Sequence, residues 1–167
     1  MSPCRIVVAS LIVGLLLGGS AHAQGTTQVT AQGRALAESF GRGEVAIRTT
    51  AGREERFDVF LAIDPVQRAR GLMFVQALPD TVGMLFVHPH EHVVIMWMKN
   101  TPLPLDMLFV DKGGRIVHIA RGTTPYSLGS ISSLRPAIAV LEINAGLAER
   151  LGIQVGDQVL HQFFAAP

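Results

Sequence analysis

The sequence predicts a mainly β fold, a small closed or half-open barrel-like single domain carrying two short helices. Three observations predict it. Runs of Val, Ile, Leu and Phe recur at strand length, and Gly, Pro, Asp and Asn separate them. Only two stretches carry helix start and stop signals, and both are short. Near the end, Gly152-Ile153-Gln154-Val155-Gly156-Asp157 supplies tight turns that deliver the chain into a sheet. At 167 residues the length fits one domain.

The first 23 residues stand apart. Arg5 precedes an apolar run over 6–17, and small residues then lead to Ala21-His22-Ala23, the pattern of a cleavable export signal. A run of about a dozen apolar residues falls short of the about 20 needed to span a bilayer. Cleavage after Ala23 removes Cys4, the only cysteine, and Arg5, which leaves 13 basic against 13 acidic residues. The mature chain is expected to be soluble, disulfide-free and exported, most simply to the periplasm, with secretion as the other destination. Residues 24–43 are rich in Gly, Thr, Ala and Gln and read as a flexible lead-in, with a marginal helical turn at 35–40.

The domain is expected over 44–164. Strands at 45–48 and 57–61 flank the polar turn Ala51-Gly52-Arg53-Glu54-Glu55. Asp64 then offers an N-cap, Pro65 a first helical residue, Gln67 the partner three positions after the cap, and Gly71 a stop, so a helix covers 65–70. Further strands are expected at 83–87, 93–98, 105–110 and 115–120, the last two joined by Asp111-Lys112-Gly113-Gly114. Residues 121–136 form the longest irregular stretch; a strand at 137–143, a short helix at 145–151 and a strand at 157–163 complete the chain.

Composition excludes several functions. A net charge of +1 and 6% aromatic residues leave no electrostatic footprint or stacking platform for nucleic acid. The mature chain has no cysteine nucleophile, and no serine stands in a nucleophile-elbow motif.

Several segments occur together in one order: Arg68-Ala69-Arg70-Gly71-Leu72-Met73, Gly83-Met84-Leu85-Phe86, Met96-Trp97-Met98-Lys99-Asn100-Thr101 and Pro104-Leu105-Asp106. Val140-Leu141-Glu142-Ile143-Asn144-Ala145-Gly146 and the paired Gly152-Ile153 and Gly156-Asp157 follow. Over residues 57–160 this pattern resembles the Domain of Unknown Function 192 family. The resemblance implies a small barrel-like β fold, often behind a signal peptide, and no established reaction. One departure is visible, since Phe60 stands where the family usually carries a carboxylate.

Two constellations could carry chemistry. In the first, Trp97 is followed by Lys99-Asn100-Thr101, on a loop whose backbone Pro102 and Pro104 restrict, and then by Asp106. Arg70 and Glu142 stand at other family-like positions. Such residues around one cleft would bind a sugar, a carboxylate or an extended segment. Alternatively, Arg70, Lys99, Asp106 and Glu142 form interlocking ion pairs and caps, and Trp97 is a core anchor. In the second, alternation along His88-Pro89-His90-Glu91-His92 would converge His88, His90 and His92 as imidazole ligands for copper or zinc. The expected function is a non-catalytic module binding a small ligand or partner through Arg70, Trp97, Lys99, Asn100, Thr101, Asp106 and Glu142. The alternatives are a periplasmic copper or zinc protein and a hydrolase-like enzyme using Lys99 and Asp106. No resident cofactor is expected, and no nucleic-acid partner.

Overall fold

A computed structural model describes residues 33–164. The expected export signal and most of the expected lead-in lie outside these residues. Helix α1 (33–39) precedes strand β1 (Gly41–Arg48), which therefore begins inside the stretch read as lead-in. Strand β2 (Glu54–Ala62) returns antiparallel to β1, with Val45 opposite Phe57. Helix α2 (Pro65–Arg70) starts on the expected capping box, in which Asp64 accepts the Gln67 amide and the Gln67 side chain accepts the Asp64 amide. Among the described residues no helix is long and apolar enough to cross a membrane.

Strand β3 (Val82–Met96) runs parallel to β2 and antiparallel to β6 (Ile131–Asn144). Strand β4 (Leu105–Val110) pairs with β6 on one side and with β5 (Ile116–Ala120) on the other. After β6 come helix α3 (Leu147–Arg150) and strand β7 (Gln158–Leu160), which pairs with β1. The seven-stranded sheet has the order β5-β4-β6-β3-β2-β1-β7. Its two edges approach each other where Arg115 bridges Gln158, and the Val159 amide donates to the Gly114 carbonyl at 2.7 Å. The barrel-like expectation holds. Four strand expectations need correction: 83–87 and 93–98 are parts of one long strand that ends at Met96, β6 begins six residues earlier than 137, and the last strand covers 158–160 rather than 157–163.

Side-chain alternation sorts the apolar residues into two cores. The inner core contains Val45, Ile47, Phe57, Val59, Leu85, Leu108, Leu141 and Ile143, with Leu147, Ile153 and Phe164 packed into it. The outer core contains Phe60, Met84, Phe86, Met107, Phe109 and Val140, covered by Leu36, Phe40, Leu72, Val75, Leu78 and Met98. With both faces covered, every residue of β4 is buried. That strand therefore reads as a continuous apolar run broken only by Asp106.

The register aligns one row across the outer face. Phe60 lies opposite Met84, Met84 opposite Glu142, and Glu142 opposite Met107. A carboxylate thus sits in the middle of an apolar row, two strands (about 10 Å) from Phe60.

Candidate functional site

Three segments meet above that row. The first is the end of α2. Gly71 has φ 48°, and a Cβ there would stand 3.0 Å from the Phe86 ring, so glycine lets the helix end press onto β3. Arg68 donates to the carbonyls of Ile63 and Val87, which ties the helix to β3. Arg70 lies 5.5 Å from the centroid of Phe40 and donates to Ser39 Oγ.

The second segment is the loop that continues β3. Alternation buries Met98 and leaves Trp97 and Lys99 exposed, with the Lys99 ammonium 5.3 Å from the indole centroid. The loop is held by backbone bonds to its neighbours: the Phe74 amide donates to Asn100 O at 2.8 Å, the Met98 amide to Ser127 O at 3.0 Å, and the Tyr126 amide to Thr101 O at 3.1 Å. Phe74, Asn100 and Tyr126 all have positive φ, at 65°, 53° and 61°. Residues with a Cβ avoid this region, so the surrounding bonds impose it at an energetic cost. Phe74 and Tyr126 carry their rings outward, as Trp97 does: Phe74 is 67% exposed, Tyr126 61% and Trp97 49%.

Between α2, the Trp97 loop and the third segment, residues 128–130, a cavity of about 390 Å³ opens. Leu72, Phe86, Thr101 and Glu142 are its buried lining; Arg70, Ile95, Trp97, Lys99, Leu128 and Ser130 are exposed at its mouth. Glu142 is 4% exposed and is the only acidic side chain of the lining. Burial among Met84, Met107 and Phe86 pushes its carboxyl up to about 8, so it is protonated at neutral pH. No hydrogen bond holds that carboxyl among the described residues.

His88 also lines the cavity, and its Nε2 is buried without a hydrogen-bond partner among the described residues. Burial first, then the nearby His92 and Arg68, pull its value down to about 4, so it too is uncharged at neutral pH. The charges that remain are cationic. Arg68, Arg70 and Lys99 line the cavity, and none of them joins the described ion pairs, which link Arg48, Arg56 and Arg150 to Glu44, Glu54 and Asp80.

Of the residues expected around one cleft, Arg70, Trp97, Lys99, Thr101 and Glu142 do line this cavity. Trp97 is correspondingly a mouth residue and not a core anchor. Asp106 is elsewhere. Alternation turns it to the opposite face of the sheet from Glu142, where it is fully buried and accepts the amides of Gly122 at 2.9 Å and Ala148 at 3.0 Å. It caps α3, whose own N-cap, Gly146, has no side chain to do so. Asn100 serves the turn, its amide nitrogen 3.9 Å from Met73 Sδ.

The expected convergence of His88, His90 and His92 does not occur. Strand pairing jumps from Val87 opposite Ala139 to His92 opposite Ala137, so residues 88–91 bulge and alternation is lost. The rings of His88 and His92 meet edge to face at 4.9 Å, while His90 contributes its carbonyl to His92 Nδ1. Among the described residues no three His, Cys, Asp or Glu side chains are placed to hold a metal ion. Sequence reasoning missed Arg68, Leu72, Phe86 and Leu128 as lining. Arg68 and Leu72 stood in the family-like motif, but nothing in sequence brought 128–130 to them.

Comparison with known proteins places this geometry in a family. The sequence profile of DUF192, described as "Uncharacterized ACR", matches residues 46–161. Among solved structures the chain is similar to a Sinorhizobium meliloti protein named as a candidate transcription regulator. Their identity is 42% and the TM-score 0.71, with 72% of this chain and 94% of that one covered. It is also similar to a protein of unknown function from Novosphingobium aromaticivorans, at 39% identity and TM-score 0.70, covering 72% and 85%. No curated protein matches. With well over half its length under one family profile and solved relatives of the same fold, the chain belongs to the DUF192 family.

Proposed function

We propose that this protein is an exported, non-catalytic binder of a small molecule, and that the cavity between α2 and the Trp97 loop is its site. The carrying observation is the open cavity whose floor holds Glu142, a carboxyl with no hydrogen bond to the described residues, and whose wall holds His88, its Nε2 buried without a partner among them. A buried polar group left without a partner is destabilising, and a bound molecule that supplies one removes that penalty. The strained backbone at Phe74, Asn100 and Tyr126 fits the same reading, because strain concentrates where a loop is held in shape for binding. The hydrolase reading loses its pair, since Asp106 faces away from Lys99's cavity and is saturated by backbone amides. The regulator name of the Sinorhizobium relative does not lead us to nucleic acid, because 14 basic residues are matched by 13 acidic ones.

A fragment collection observed by ligand NMR tests the reading. Binders are expected, and replacing Ser130 at the cavity mouth with Trp is expected to weaken them at least about tenfold by filling the entrance. An absence of binders, or binders indifferent to Ser130→Trp, would remove the cavity as the site.

A further inference from the structure

We infer that the cavity takes a small organic carboxylate, its charged end at Lys99 and Arg70 and an uncharged oxygen on its apolar body accepting a hydrogen bond from Glu142. The inference rests on the binding reading above and adds the class of ligand.

The charges decide the first half. Three cationic side chains line the cavity, and none has a carboxylate partner among the described residues. Arg68 is committed to the Ile63 and Val87 carbonyls and fixes the wall. Arg70 and Lys99 are exposed at the mouth, each resting against an aromatic ring, Phe40 and Trp97. Cations held in this way give an incoming carboxylate charge-assisted hydrogen bonds with little further ordering.

The floor decides the second half. Every group facing Glu142 across the cavity is either cationic or neutral: Arg68 and Arg70 from α2, His88 from β3 and Lys99 from the loop, while its neighbours Met84 and Met107 are apolar. The carboxyl is protonated at neutral pH, so it offers an O–H donor. An amine would have to ionise it beneath three positive charges, which disfavours a cationic ligand. Between floor and mouth the walls are Leu72, Phe86, Met96 and Trp97, which suit an apolar body.

A matched set of probes tests this on the unmodified chain: 4-acetylbenzoate, its neutral amide 4-acetylbenzamide, the cation 4-acetylbenzylamine, and 4-isopropylbenzoate, which lacks the acceptor. Trp97 is the only tryptophan and lies at the mouth, so its fluorescence reports binding alongside calorimetry. The expected result is a dissociation constant of about 1 mM or tighter for 4-acetylbenzoate, in the range of a fragment of this size. The other three are expected to bind about tenfold more weakly, each lacking one charge-assisted or hydrogen-bonded contact. Lys99→Met and Arg70→Met, both exposed, should each weaken 4-acetylbenzoate at least about threefold and close the gap to the amide. Tighter or equal binding of the amide or the amine would overturn the carboxylate assignment while leaving the cavity a binding site. Equal binding of 4-isopropylbenzoate would overturn the role given to Glu142. No fluorescence or heat change with any probe would overturn the carboxylate assignment and, if the fragment collection also finds no binder, the cavity reading with it.

Discussion

Glu142 is the residue on which most depends. The unfolded chain ionises it near the ordinary carboxylate value, whereas the folded chain keeps the proton up to about 8. Between those values the native state binds more protons, so stability falls as pH rises. His88 works in the opposite sense. Its folded value is about 4, below that of the unfolded imidazole, so it adds stability as pH rises from about 4 to its ordinary value of 6.5. The half-buried His118 and His161, both lowered by burial, act in the same direction as His88. The opposing effects overlap up to about pH 7.5, where the unfolded imidazoles have lost their protons, and above 6.5 the Glu142 effect is the larger. Melting temperature is therefore expected to drop by a few degrees between pH 6.5 and 8, corresponding to about 1 kcal/mol. Glu142→Gln should flatten the curve across that interval, and a wild-type curve that is already flat would contradict the buried, unpaired carboxyl.

At the scale of elements, two junctions can be separated from the cavity. Asp106 holds α3 and the turn at Gly122 to β4 through two backbone amides. Asp106→Ala strands both donors and is expected to cost about 2–4 kcal/mol in urea unfolding, with probe binding by the folded fraction unchanged. A loss of binding without a loss of stability would put Asp106 back in the site. At the Phe74 turn, glycine suits φ 65° and keeps the backbone N–H that donates to the Asn100 carbonyl. Phe74→Gly should therefore leave melting temperature level or slightly raised, while Phe74→Val should lower it, destabilising the fold by about 1 kcal/mol or more. Equal melting of the two variants would mean that the backbone there is not left-handed.

These elements also show what the sequence made legible. The box from Asp64 to Gln67 announced α2 because capping is local chemistry, complete within four residues. The bulge at residues 88–91 was not legible, since it depends on which residues of β6 stand opposite. Alternation alone predicts that the three imidazoles converge, and the bulge is what separates them. Asp106 misled for a similar reason: its two partners are 16 and 42 residues away in sequence.

For the whole molecule, closure of the sheet and a second, outer core explain how 132 described residues create a cavity at all. The inner core fills the barrel, so a ligand must bind outside it, beneath whatever covers the outer face. The closing seam passes at Gly114, where φ is 80° and a Cβ would stand 2.5 Å from the Val159 carbonyl. Gly114→Ala is thus expected to cost at least about 2 kcal/mol and to speed amide exchange along β5 and β7 together. Exchange confined to one strand would mean that the two edges are not joined there. The sequence showed strands, turns and the residues of the Trp97 loop, but the parallel pairing of β2 with β3 and the meeting of α2, the loop and residues 128–130 arise only from global topology.

The most direct measurement is a titration of the Glu142 side-chain carboxyl by carbon-detected NMR, in the presence and absence of 4-acetylbenzoate. A midpoint near pH 8 in the free protein, moving upward when the probe binds the protonated form, is the predicted result. A midpoint near the ordinary carboxylate value, indifferent to the probe, would show a solvated or already paired acid and contradict the site.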